Sequence, residues 1–214
     1  FGIQDFIFAS GGDTRKQAAK LLRGRSFQVS LFTELAALRI LEVLGLPPSS
    51  QVVNAAGKFL IVTPNTPDVL SALERIRKEL DEWFLQHTFG HSGVGLVWLH
   101  ADSNDFLRKA GQANESTPFA HLTRQLRESL DRAKHQRFDL CLNGGRVFET
   151  DFPDGVCAFN GWLPADRAQT GSGPASCALS RDQIAIGEAL VKFDRLLVLK
   201  SGAHAMLREG SSLN

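Results

Sequence analysis

The spacing of apolar positions changes several times along this chain, and each change marks a predicted element. Phe1 to Ala9 is apolar apart from Gln4 and Asp5. It reads as the exit from a strand lying upstream of Phe1. Ser10-Gly-Gly-Asp-Thr14 is a loop closing on residues whose short side chains cap helix N-termini. Arg15 to Arg23 predicts a basic helix, Gly24 a weak break, and Ser26 to Leu44 a long helix apolar on most faces. Gly45-Leu-Pro-Pro48 ends it, because Gly accepts the left-handed turn after a helix and Pro cannot continue one.

Gln51 to Ala55 and Lys58 to Thr63 are short alternating runs joined by a tight turn, which predicts a β-hairpin. Pro64 to Pro67 closes the second run and leaves Asn65 or Thr66 to cap the next helix. Val69, Leu70, Leu73, Ile76, Leu80, Trp83 and Phe84 then recur at helical spacing, so a helix with one apolar stripe is predicted from about Pro67 to Gln86. Gly90 to Gly93 is a turn, and Val94 to Leu99 reads as a buried strand. With an upstream strand added, the order is strand, helix, strand, strand, helix, strand. That is the split βαβ, ferredoxin-like layout of polymerase palms and nucleotide cyclases, although unrelated proteins share it.

Beyond Ala101 the pattern loosens. Leu122, Leu126 and Leu130 predict a helix over Phe119 to Ala133. Phe138 to Pro174 is rich in Gly, Asp and Pro. Leu179 to Lys192 reads as a helix and Arg195 to Lys200 as a strand. The expected fold class is therefore α+β: a ferredoxin-like, cyclase-like palm over residues 1–101 with its first strand missing, a helical linker over 102–137, and a small loop-rich unit over 138–214. The chain opens inside an apolar segment and closes on a polar tail, which reads as a piece of something longer.

Composition narrows the field. The chain has 214 residues, 43% of them hydrophobic, enough for one good core and a small second unit. A formal net charge of +1 argues against a general nucleic-acid coat, so any such surface must be a local patch. Three cysteines, Cys141, Cys157 and Cys177, suit a reducing, cytoplasmic setting. The longest apolar stretch, Phe27 to Leu44, is broken by Gln28, Ser30, Thr33, Glu34, Arg39 and Glu42. It predicts a buried helix and no membrane span.

The hairpin carries the chemical question. Two-metal enzymes hold divalent cations on paired carboxylates at such a turn. No Asp or Glu occurs from Gln51 to Pro67, so this hairpin cannot hold two metals. It is either an ordinary hairpin or a palm that lost its metals and still lines a nucleotide pocket. On the second reading Asn54 would bond a base or ribose and Lys58 a phosphate. Arg15, Lys16, Lys20, Arg23 and Arg25 form a basic cluster with Lys16 and Lys20 on one helix face; it suits RNA phosphates or a subunit contact, and equally a solvated face. Gly11-Gly12-Asp13 imitates a cyclase signature but opens a helix, and Gly144-Gly145-Arg146 is no phosphate loop. Cys157 and Cys177 each lack the second thiol of a Cys-x-x-Cys pair, since Asn160 and Ser180 stand three residues on. They are read as remnants of a zinc site, with no metal held. His87 and His91 read as surface or capping residues.

Phe1-Gly-Ile-Gln-Asp-Phe-Ile-Phe8 and Leu22-Arg-Gly-Arg-Ser-Phe27 resemble the opening of the first palm in the large subunit of type III CRISPR effector complexes of the Csm subtype. Asn54-Ala-Ala-Gly-Lys-Phe59 stands where that family has a Gly-rich hairpin. Gln183 to Leu190 resembles the helix that follows the family's zinc-ribbon-like insert. The resemblance implies a nucleotide pocket involving Gly2, Asn54 and Lys58, shared with a second palm of the same protein. It implies ATP with Mg or Mn in the whole protein, and effector subunits, guide RNA and target RNA as partners. The whole family protein makes cyclic oligoadenylates and cleaves single-stranded DNA. This chain has neither the Gly-Gly-Asp-Asp hairpin nor the HD dyad of those activities, so it would be a non-catalytic palm with an insert that holds itself by packing. Two other readings remain at this point: a stand-alone cyclase-like enzyme, and a pure protein or RNA interaction module.

Overall fold

The computed structural model describes residues 2–55, 57–107, 117–139, 149–166 and 173–195. Its centre is one long helix. A short helix α1 (Ile3–Ile7) and a 3-10 turn over Thr14–Gln17 lead into α2 (Ala18–Val43). A hairpin follows, β1 (Gln51–Ala55) with β2 (Lys58–Ile61), then α3 (Pro67–Thr88), α4 (Pro118–Ala133) and α5 (Ala178–Ala189). The chain is thus mixed helix and sheet, as expected. No helix among these residues is long and apolar enough to cross a membrane.

Local chemistry sets the boundaries. Thr66 caps α3 by accepting from Val69 N, with Pro67 in the first turn, and Thr117 caps α4 by accepting from Ala120 N, with Pro118 in the first turn. α3 ends where Phe89 and Gly90 both take positive φ, 48° and 73°. The hairpin is antiparallel, pairing Asn54 with Phe59 and Ala55 with Lys58, with an irregularity between Gln51 and Val53. Gly57 takes φ +75°, the left-handed conformation a tight reversal demands.

The opening segment, read as the exit from a strand upstream of Phe1, is a short helix at Ile3–Ile7. Two expectations are corrected. Val94–Leu99 joins no ladder: the sheet among the described residues has only the two hairpin strands. Val94 is buried beside Phe84 and Leu85, while Leu96 and Trp98 pack on Ile40, Leu73 and Ile76. Packing on helices thus buries Val94 and half-buries Leu96 and Trp98, while Leu99 is exposed. Finally, Gly24 does not break the helix. All but the first residue of the strand expected from Arg195 to Lys200 lies outside the described residues, as do Cys141 and Gly144-Gly145-Arg146.

Gly24 is helical because α2 and α5 meet backbone to backbone there. A Cβ on Gly24 would stand 1.9 Å from the Gln183 carbonyl oxygen, and one on Gly187 of α5 would stand 2.0 Å from the Lys20 carbonyl oxygen. Each helix therefore presents its glycine to the other. Around this crossing Leu21 packs with Cys157, Phe159, Leu163 and Cys177. Farther along α2, Ala36 joins Phe84, Leu85, Val94 and Phe138, and Ile40 joins Leu73 and Ile76. Phe32 meets Phe6, Trp83 and Phe84 edge to face, with centroids 5.4–6.2 Å apart.

Gly→Ala in an exposed helix interior is normally favourable by about 1 kcal/mol. At Gly24 or Gly187 it should instead cost about 1–3 kcal/mol, as overpacking does. Urea unfolding of G24A and G187A checks this; an unchanged or raised midpoint would mean that the helices do not touch.

Candidate functional site

The hairpin tip lies against α1 and α2. A Cβ on Gly57 would sit 3.6 Å from Ile3 Cδ1 and 3.9 Å from both Val29 and Thr33 of α2. Gly2 adjoins Ile3, and a side chain there would run into the His91 carbonyl oxygen at 2.5 Å. The fold thus brings the Gly2 end of α1 next to the hairpin turn. Asn54 is exposed and its amide donates to the Glu34 carboxylate of α2. Lys58 is exposed across the ladder from Ala55. Glu34 is the residue that the linear reading missed. It lies twenty positions upstream of Asn54, and only the return of the hairpin onto α2 reveals it. One carboxylate does not make a two-metal centre, and no cluster of three or more His, Cys, Asp or Glu occurs among the described residues.

The basic cluster separates into different roles. Arg15 and Lys16 are exposed on the 3-10 turn, Lys16 pairing with Asp13 at 2.5 Å. Lys16 and Lys20 do not share one α-helical face, because α2 begins only at Ala18. Lys20 pairs with Glu188 of α5, which holds that carboxyl below its ordinary range. Arg23 Nε donates to the Gly187 carbonyl at 3.1 Å. Both side chains therefore brace the α2–α5 crossing.

Arg25 leaves the candidate set altogether, being 2% exposed. Its Nε donates to Gln183 Oε1 at 2.9 Å. One Nη donates to the carbonyls of Ile7 (3.1 Å) and Ala9 (2.6 Å), and the other to that of Phe159 at 3.0 Å. Gln183 is held in turn by Gln28 at 3.1 Å. Burial pulls the guanidinium below its usual range, and the nearby Cys157 and Cys177 oppose that shift. A buried cation is tolerated only where its donors are used, and the planar fork reaches four separate acceptors here. Spacing could not expose this role, since Arg25 sits in a run of basic residues that looks solvated.

The Gly11-Gly12-Asp13 turn also proves structural. Asp13 N donates to the Ala158 carbonyl at 3.0 Å, and Thr14 Oγ1 donates to that of Phe159 at 2.9 Å. His91 stacks on Trp162 at 4.1 Å, and His87 on Trp83 at 4.5 Å. Cys157 and Cys177 are buried within one polar cluster with Asn160 and Ser180.

Fold and site together define a mixed α/β domain around one central helix, with its exposed polar groups at a hairpin tip. The chain belongs to the Csm1 subunit domain B family, whose model matches residues 1–147. It is 34% identical over 137 residues to the single-strand-specific deoxyribonuclease Cas10/Csm1 (subtype III-A) of the CRISPR system of Thermococcus onnurineus, and 30% identical over 144 residues to that of Mycobacterium tuberculosis. Each match covers 64% of this chain and 17% of the relative, so the chain spans about a sixth of their length. Its fold is similar to that of a Csm1–Csm4 cassette solved with pppApA, at TM-score 0.56 and 33% identity over 65% of this chain and 18% of the other. A cassette with pppApApA is matched at TM-score 0.57 and 29% identity over 82% of this chain and 24% of that one.

Replacing Arg25 by Ala takes this donor from Gln183 Oε1 and from the Ile7 and Ala9 carbonyls, while the Phe159 carbonyl keeps Thr14 Oγ1; a buried acceptor left unpaired costs about 1–3 kcal/mol. R25A should therefore lower stability by that order in denaturant titration. R15A and K16A should stay within about 0.5 kcal/mol of the parent. An R25A chain as stable as R15A would refute the buried role.

Proposed function

We infer that this chain is the non-catalytic first palm of a type III-A effector large subunit. In this reading it is a scaffold that forms one wall of an ATP pocket. The single observation that carries the reading is the match of its fold to Csm1–Csm4 cassettes, several of them solved with ATP, AMPPNP, pppApA or cA4. The hairpin fits such a role: it offers an amide and an ammonium group, with no paired carboxylates. Asn54 contacts the base or ribose and Lys58 a phosphate, with Gly2 at the neighbouring end of α1 as the third residue of the wall. A second palm of the same protein supplies the metal-binding carboxylates, with Mg or Mn, and completes the pocket.

The whole protein, on this reading, makes cyclic oligoadenylates from ATP. It also cleaves single-stranded DNA, as its relatives' names state for them. It works in the cytoplasm within an effector complex, beside a Csm4-type subunit, guide RNA and target RNA. Arg15 and Lys16, the exposed part of the basic group, are the contacts offered to RNA or a neighbouring subunit. The segmentation into a palm over 1–101, a linker over 102–137 and an insert beyond is part of the same proposal.

The test is made in the assembled complex with target RNA. A hydrogen bond to a charged group is worth about 1.5–3 kcal/mol, or roughly tenfold to a hundredfold in rate. N54A/K58A should therefore lower cyclic oligoadenylate synthesis at least tenfold while complex assembly is unchanged. Unchanged synthesis would instead make this domain a pure interaction module. Metal-dependent turnover of ATP by the isolated chain would make it a cyclase in its own right.

A further inference from the structure

Two loops of this chain each present a pair of side chains three residues apart, and the four side chains converge. Cys157 and Asn160 come from the turn before Gly161; Cys177 and Ser180 come from the start of α5. Ser180 Oγ lies 3.4 Å from both sulfurs. Asn160 Nδ2 lies 3.1 Å from Cys177 Sγ and 3.2 Å from Ser180 Oγ. Paired residues at this spacing, two from each loop, are the arrangement of a four-coordinate structural zinc site. All four residues are buried, at 0–6% exposure.

The donor set does not fit zinc. Structural zinc takes four thiolate or imidazole ligands, and here two of the four positions are an amide and a hydroxyl. The orientation of Asn160 is decisive. Its Oδ1 accepts from both Trp162 N and Leu163 N at 3.1 Å, so the carbonyl faces the turn. That leaves the NH2 group pointing between the sulfur and the hydroxyl. An N–H donor then occupies the centre, where a cation would need a lone pair. The two backbone donors fix this orientation, since the reversed amide would set NH2 against two N–H groups.

We propose that this cradle is a metal-free polar knot in which the Asn160 amide takes the place of a central cation. Its NH2 supplies the positive end between Cys177 and Ser180, and its carbonyl closes the turn. Ser180 N also donates to Cys177 Sγ at 3.4 Å, tying the knot to the first turn of α5. The hydrogen bond between the two thiols holds Cys157 below the ordinary thiol range and pushes Cys177 above it.

The test compares the 214-residue chain with two variants, all expressed in zinc-supplemented medium. Metal content is measured by elemental analysis, and thermal unfolding is followed with and without a strong chelator. The parent should hold far less than one zinc per chain, with a Tm that the chelator does not move. N160A should unfold several degrees lower regardless of zinc. N160C/S180C should take up about one zinc per chain, lose Tm on chelation, and give tetrahedral thiolate absorption bands with Co(II). A parent chain carrying about one zinc, with a chelator-sensitive Tm, overturns the proposal. So does an N160A chain as stable as the parent. A folded N160C/S180C chain that takes no metal overturns the convergent geometry. The parent and N160A arms decide the matter if the double variant does not fold.

Discussion

The interaction on which the rest depends is the buried guanidinium of Arg25. It lies on the long helix α2 yet joins three separate pieces of chain: the stretch from Ile7 at the end of α1 to Ala9, the turn at Phe159, and Gln183 of α5. None of these partners is a carboxylate, so its stabilisation rests on hydrogen-bond geometry rather than on charge pairing. Such a cluster is costly when half satisfied and specific when complete. Three of its acceptors are main-chain carbonyls, which a misplaced loop would leave without a donor. The guanidinium thus selects one arrangement of the segments around α2.

The close crossing of α2 and α5 makes that selection possible. Gly24 precedes Arg25, and Gly187 follows Gln183 by one turn of α5. With side chains at either glycine the helices would separate, and Arg25 Nε would no longer stand 2.9 Å from Gln183 Oε1. Lys20 with Glu188, and Arg23 with the Gly187 carbonyl, hold the outer side of the same crossing. Such half-exposed pairs add little energy, but they sit where the backbones already touch. The apolar cluster of Leu21, Phe159, Leu163 and the two cysteines closes the inner side.

Elements governed by local chemistry and regular spacing were legible from sequence: the hairpin at its Gly57 turn, α3 behind Thr66-Pro67, α4 through Leu122, Leu126 and Leu130, and α5. Elements governed by distant partners were not. Val94 to Leu99 has the composition of a buried strand, and burial against Ile40, Leu73 and Ile76 uses the same side chains without a ladder. Gly24 resembles a break until its partner backbone is known. Arg25 resembles its solvated neighbours, since nothing within several residues marks it as buried. At the hairpin, the absence of carboxylates was readable, whereas the Glu34 contact to Asn54 needed the tertiary fold. The Cys-x-x-Asn and Cys-x-x-Ser spacings were visible as remnants. The expectation that packing alone replaces the metal missed the hydrogen bonds that Asn160 and Ser180 supply.

These contacts form one physical route from the knot to the hairpin tip. Asn160 orders the turn after Cys157, whose Phe159 carbonyl accepts from Arg25. Arg25 fixes the end of α1 through Ile7, and the other end of that short helix presents Ile3 to the Gly57 turn. A five-residue helix has no stability of its own, so α1 stands where its flanking contacts put it. The proposed nucleotide wall therefore inherits its shape from polar groups on its far side rather than from metal ligands within it. Most acceptors on that route are backbone carbonyls, which substitution cannot delete. The donors are what sequence change can remove, and among them only a planar fork spans the separate carbonyls at once. An ammonium group, a point charge on a flexible stem, could satisfy some of them but could not hold all in one plane.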